Sequence, residues 1–306
     1  MKNTKQSSPS AVDRREFLSR LACGAAASVT AGGLLASAGR AVAAEGRWKM
    51  RLSCSSINFT SLPIEQACGR IAALGFEAID VWSGHAGCPH LDDVLNRLGA
   101  EGLMEVLAKN KLKLYSFSVY AGGFARYAEL LGKCGGGVAV QGSAGPCDPK
   151  DLTTRMKAFL EGLKPLAELA EKHDSYLACE NHGHALLDSL DSFKAFVDNN
   201  TNPRLGIALA PYHVQGRKQS VEEAIGIIGK QLFFFYAWQR AGGAGQLPGN
   251  GPTDCIPWIT ALAKADYAWP VNPFMHGEPE PDEMSKIMAE SVAYLKECYA
   301  KAVPAA

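Results

Sequence analysis

The chain has 306 residues, 47% hydrophobic and 20% charged, which excludes a disordered polyampholyte and supplies ample apolar surface for one large core. Thirty-one Lys and Arg balance 31 Asp and Glu, so no bulk charge draws the protein to nucleic acid or to an anionic membrane. A small molecule recognised locally is the partner class this balance leaves.

The first segment stands apart from the fold. Asp13 to Leu18 read DRREFL, an Ala- and Gly-rich apolar stretch follows, and Ala41 to Ala44 (AVAA) offer a small-residue cleavage site. This resembles a twin-arginine export signal over residues 1–44, which predicts a mature domain over 45–306 in the periplasm or otherwise exported. Left uncleaved, the segment would instead tether the protein to a membrane. No later run approaches the ~18 apolar residues of a membrane span. Cys23 leaves with the signal, and the remaining cysteines show no CxxC pair or zinc-ribbon spacing. Cys54, Cys68 and Cys179 sit in apolar segments and read as small buried hydrophobes.

From Arg51 onward, short β-rich runs alternate with longer stretches of helical spacing. The strand candidates are RLSCSSI, FEAIDVW, KLYSFSVY, GVAVQG, SYLACE, LGIALA, QLFFFYA and AWPVNPF. The intervening stretches, from PIEQACGRIAALG to PDEMSKIMAESVAYLKECYAKA, repeat apolar residues at three and four. Near-continuous apolar strands are those covered on both faces. Eight strand-then-helix units in about 250 residues predict a single-domain (β/α)8 TIM barrel. A doubly wound open sheet is the competing architecture, but SSINFTSLP after the first strand carries no glycine fingerprint. Arg240 to Asp254 (RAGGAGQLPGNGPTD) reads as a flexible loop after strand seven.

A barrel of this kind does its chemistry at the C-terminal strand ends. There lie Trp82 and His85 after strand two, Tyr120 after three, and Glu180 and His182 after five. Tyr212 and His213 follow strand six, Trp238 and Gln239 strand seven, and His276 strand eight. A carboxylate ending an apolar strand is costly unless paired, which favours a site role for Glu180 over a helix cap. His182 and His213 read as acid or oxyanion donors, with packing imidazoles as the alternative. For His85 and His276 both readings stay open; His184 and His90 read as loop histidines. The aromatics Trp82, Tyr120, Tyr212 and Trp238 suit the apolar faces of a sugar ring if they share one cleft.

The segments FEAIDVW, LKPLAELAEKHDSYLACENHG and PYHV resemble the sugar isomerase/epimerase superfamily of xylose-isomerase-like barrels, across roughly Arg51 to Ala302. The resemblance implies a divalent ion held by a carboxylate ending strand five, an Asp ending strand six, a His on strand seven and a Glu on strand eight. Glu180 matches the first position. The others fall near Ala210, Tyr236 and Pro273 or Phe274, none of which is a ligand for a hard cation. The usual divalent metal is therefore expected to be absent. A rearranged zinc or manganese site built from Glu180, His182, His213 and His276 stays open.

These residues predict an exported isomerase- or epimerase-like enzyme acting on a sugar or keto-sugar. Glu180 would be the base, with His182 or His213 the acid or oxyanion donor. A keto-glycoside lyase is chemically adjacent, and a non-catalytic carbohydrate-binding barrel is the alternative of a different class. Endonuclease activity fits neither the zero net charge nor the missing ligands.

Overall fold

The computed structural model describes residues 48–304; the export segment expected at 1–44 lies outside the described residues. Eight strands form: β1 (Ser53–Ser55), β2 (Ala78–Trp82), β3 (Lys113–Ser118), β4 (Val138–Gly142), β5 (Tyr176–Glu180), β6 (Leu205–Leu209), β7 (Leu232–Ala237) and β8 (Val271–Pro273). They pair in parallel in sequence order. A bridge between Leu52 and Val271, with the Val271 amide donating to the Arg51 carbonyl at 2.8 Å, brings β8 back onto β1. The expected (β/α)8 TIM barrel is thus the observed architecture.

Eight principal helices follow the strands: α1 (Ile64–Ala73), α2 (Gly99–Lys109), α3 (Phe124–Lys133), α4 (Leu152–Lys172), α5 (Leu190–Asn199), α6 (Val221–Ile228), α7 (Ile256–Lys264) and α8 (Pro281–Ala302). Local chemistry sets several starts. Ser189 and Ser192 form a reciprocal cap on α5, and Ser220 accepts from the Glu223 amide to cap α6. The segment from His90 to Lys109 is not one continuous helix. Gly99, at φ 67°, interrupts it in a conformation that side-chain-bearing residues rarely adopt. Among the described residues no helix is long and apolar enough to cross a membrane.

Two register shifts organise the interior. Ile79 pairs with Leu114 but Asp80 pairs with Ser116, and Ile207 pairs with Leu232 but Ala208 pairs with Phe234. Each extra residue is a β-bulge that resets the inside-outside alternation. Tyr115 and Phe233 consequently join Phe234, Tyr176 and Trp269 in an aromatic layer near the N-terminal strand ends, with Tyr115 and Phe234 stacked at 5.0 Å and 6°. The Tyr115 hydroxyl donates to the Phe233 carbonyl on the facing strand. After the bulges, Ser116, Ser118, Tyr236 and Trp238 keep step with the inner face.

Outside the barrel, Cys54, Cys68 and Cys179 are fully enclosed in the layer between strands and helices. Burial pushes their thiols up to about 12, so they pack as inert small groups. The loop after β7 departs from the expected flexibility. The Gln239 side chain donates to the Leu247 carbonyl at 2.7 Å and accepts from the Thr253 amide at 2.8 Å. The Gln246 side chain fastens the loop to the His276 carbonyl at 2.9 Å.

Candidate active site

Glu180 is the last residue of β5, and strand alternation sends its carboxylate inward and its neighbour outward. Asn181 accepts from the Ala210 amide at 2.6 Å and donates to the Ala210 carbonyl at 3.2 Å, locking the tips of β5 and β6 together. Pro211 at the first position of a short helix, Pro211–Gly216, then directs His213 over the barrel mouth and sets Tyr212 against Trp238. His184, at φ 62°, turns the chain back after His182.

The mouth is a cavity of about 410 Å³. Of the residues expected there, Glu180, His182, His213, Trp82, His85, Tyr120, Trp238 and His276 all line it. His184, expected as a plain loop residue, also lines it, as do Tyr236, Phe274 and the β4 tip from Gly142 to Gly145. Two expected ligand contacts lie elsewhere. Tyr212 stacks on Trp238 at 4.4 Å and 17°, behind the wall rather than in it. Gln239 is fully buried, because the residue after inward-facing Trp238 must point away from the bore, and it is spent on the β7 loop. His90 is buried, with its Nε2 2.8 Å from the Leu62 carbonyl, which makes it a packing residue.

Aromatic rings form one side of the cavity. Phe274 stacks on Trp82 at 5.4 Å and 17° and meets Trp238 edge-on at 5.2 Å. His276 packs against Phe274 at 4.9 Å and Trp238 at 5.4 Å. Gln246 holds this wall, accepting from the Trp238 indole N–H at 2.8 Å and from the His276 amide at 3.2 Å.

The polar side centres on Glu180. Tyr120 donates its hydroxyl proton to Oε2 at 2.6 Å, and the Tyr236 hydroxyl lies 3.1 Å from that of Tyr120. Burial pushes the Glu180 carboxyl up to about 7, against the opposing pull of Tyr120, His182 and His276. Burial, followed by the charges of His182, Arg240 and His276, holds the His213 imidazole down at about 3, so it is neutral at physiological pH. Its Nε2 is enclosed without a hydrogen-bond partner, and its ring lies 4.1 Å from that of His182. The His182 Nδ1 is 2.9 Å from the Gly183 carbonyl, which assigns that nitrogen the proton.

Sequence reasoning missed Asp80. It is fully buried in β2 and accepts hydrogen bonds from Ser55, Ser116, Ser118 and the Trp82 indole. An acidic residue inside the apolar run FEAIDVW was the available signal.

The donor set does not fit the divalent ion implied by the family resemblance. Ala210 offers only backbone groups already bonded to Asn181, Tyr236 offers a phenol whose ionisation burial opposes, and Phe274 places a ring against Trp82. Nor do Glu180, His182, His213 and His276 assemble the rearranged site: among the described residues no group of three or more His, Cys, Asp or Glu is placed to hold one ion.

Residues 68–298 match the family of xylose isomerase-like TIM barrels, three quarters of the chain. The chain belongs to that family. A comparison with curated protein sequences gives no significant match. Among solved structures, a D-psicose 3-epimerase in the presence of D-fructose aligns with TM-score 0.64 and 17% identity, over 82% of this chain and 99% of that one. A 3-keto-D-glucoside 4-epimerase from E. coli aligns with TM-score 0.63 and 15% identity, over 82% and 100%. A probable 3-DHS dehydratase from Bacillus anthracis aligns with TM-score 0.63 and 16% identity, over 78% and 97%. These likenesses establish a shared fold.

Proposed function

We propose that this family member is an exported sugar-modifying enzyme that moves a proton on the carbon beside a carbonyl of an uncharged keto-sugar. The observation that carries the reading is Glu180: a buried carboxylate at a strand tip, held by one tyrosine hydroxyl, opening into a cavity walled by Trp82, Phe274 and Trp238. A carboxyl poised at about 7 accepts and returns a proton near neutrality with little driving force lost either way. The aromatic wall suits the apolar face of a pyranose ring. Among the described residues no Lys or Arg lines the cavity, which favours an uncharged sugar over a phosphorylated one.

The chemistry balances without a further reagent. Glu180 takes the proton, the C–H electron pair becomes the enolate double bond, and the carbonyl oxygen takes up negative charge. The neutral imidazole of His213 supplies a hydrogen bond to that oxygen. Reprotonation of the same carbon on its opposite face gives an epimer, reprotonation of the former carbonyl carbon with loss of the neighbouring hydroxyl proton gives an isomer, and expulsion of a β-oxygen substituent, which leaves with the proton Glu180 took, gives elimination. The epimerase and dehydratase relatives in the fold catalyse changes of these types by name. Export rests on the paired arginines Arg14 and Arg15 and the apolar stretch after them.

The test incubates the mature protein with D-psicose, D-fructose and methyl 3-keto-D-glucoside in D2O and follows deuterium uptake and product by NMR. Deuterium enters the carbon beside the carbonyl, and Glu180→Gln cuts turnover about 10²- to 10⁴-fold while calorimetric binding persists. Unchanged turnover in Glu180→Gln overturns the reading. The second reading, a carbohydrate-binding barrel without catalysis, is favoured by Ala210, Tyr236 and Phe274 at the family's donor positions. It predicts binding with neither exchange nor product.

A further inference from the structure

The chemistry above uses Glu180 and leaves the second buried carboxylate of the bore without a role. Asp80 is fully enclosed, does not line the cavity, and accepts from Ser55 at 2.7 Å, Ser116 at 2.9 Å and the Trp82 indole at 2.6 Å. Ser118 lies at 3.0 and 2.9 Å from its two oxygens. Three serines and an indole gathered round one carboxylate are an expensive way to fill space, since apolar side chains of similar volume would pack there at no desolvation cost.

Two arms lead from this cage to the cavity. One is the Trp82 indole, whose ring carries Phe274 and forms the wall. The other is a row of hydroxyls: Ser118 to Tyr236 at 3.5 Å, Tyr236 to Tyr120 at 3.1 Å, and Tyr120 to Glu180 at 2.6 Å. Ser118 gives its single proton to Asp80 and Tyr120 gives its own to Glu180, so both turn an acceptor oxygen toward Tyr236 and compete for its one proton, which the shorter 3.1 Å approach assigns to Tyr120. The row joins β2, β3 and β7 to the tip of β5, and the bulges at Tyr115 and Phe233 put Ser118 and Tyr236 in register for it.

We propose that Asp80 is a positioning residue for the proton transfer: through Ser118 and the Tyr236–Tyr120 hydroxyl pair it orients the donor that holds Glu180, and through the Trp82 indole it fixes the wall facing the substrate. The proposal rests on the reading of Glu180 as the base. Asp80 acts through other side chains and touches no ligand.

Asp80→Asn and Tyr236→Phe test it; the latter breaks the row at its middle and leaves the serine cage intact. In both, kcat for methyl 3-keto-D-glucoside falls about 10- to 100-fold per folded molecule; KM changes less than about two-fold in Tyr236→Phe and rises in Asp80→Asn, where the Trp82 indole also loses its acceptor. A merely structural role would lower the melting temperature and leave kcat per folded molecule unchanged. A substrate-free measurement accompanies it: the infrared carboxyl band of Glu180, identified by its loss in Glu180→Gln, shifts in both variants as the Tyr120 hydrogen bond reorients. An unmoved band with kcat within about two-fold of the parent overturns the proposal. If Glu180→Gln keeps its turnover, the reading of Glu180 as base fails by itself, and the band shift still decides whether Asp80 orients it.

Discussion

The two ends of the bore are built from the same residue types and do opposite things. At the N-terminal end Tyr115, Phe234, Tyr176, Trp269 and Phe233 interlock, and the polar atoms are satisfied locally: Tyr115 donates to the Phe233 carbonyl and Tyr267 to the Pro270 carbonyl. At the C-terminal end Trp82, Phe274, Trp238 and Tyr120 also gather, but around Glu180 and an imidazole whose Nε2 has no partner. Aromatic content therefore does not distinguish a plug from a site. What distinguishes them is whether the polar groups among the rings are already spent.

That contrast yields graded tests beyond the substitution of Glu180. The largest effect on stability is expected at the closed end, where Phe234→Ala empties a fully buried position and costs about 3–5 kcal/mol by chemical denaturation. Turnover per folded molecule stays near the parent value; a strong selective loss of kcat would erase the division between the two ends.

A pH effect on stability separates the ends further. Native Glu180 keeps its proton up to about 7, whereas the unfolded carboxyl releases its proton near 4.5, so stability declines as pH rises through that window, by on the order of 3 kcal/mol. Asp80, pushed up to about 6 by burial, acts in the same sense. His213 acts oppositely: neutral in the fold down to about 3, it makes stability rise with pH until its unfolded imidazole, half protonated at about 6.5, has lost its proton. Urea titrations of Glu180→Gln across pH 4 to 8 should show the decline due to Glu180 removed and the smaller decline due to Asp80 retained. At the closed end Tyr115 and Tyr267 are pushed above their usual range by burial, so substitutions there leave the profile between pH 4 and 8 unmoved.

The smallest expected effect is at the wall. Trp238→Leu removes a ring held by Gln246 and weakens sugar binding about 10-fold, or roughly 1.4 kcal/mol, by calorimetry. Equal binding by the variant would mean the rings at the mouth are packing, like those at the far end.

Most of the fold was legible because all eight apolar runs, covered on both faces, carry their pattern within a few residues. The first run was cut short: RLSCSSI yields only Ser53–Ser55 before Ser56–Phe59 turns into a helical loop. The strand-end rule also placed Glu180, His213 and Trp238 correctly at the mouth. It failed at Gln239, where alternation after Trp238 already pointed outward, and at Tyr212, which the short helix carries behind the wall. Asp80 was hidden because the bulge at Tyr115 makes Ser116 and Ser118 face the bore, a phase change that no local pattern in KLYSFSVY announces. Which polar groups meet across the barrel depends on that phase, and so the hydroxyl row became visible only in three dimensions.

The link from the Tyr115 hydroxyl to the Phe233 carbonyl spans strands four places apart in a ring of eight, hence opposite staves of the cylinder. Braced at that end and stoppered by stacked rings, the cylinder is blind. A molecule that reaches Glu180 must depart through the doorway it used, so exit of one guest precedes admission of the next.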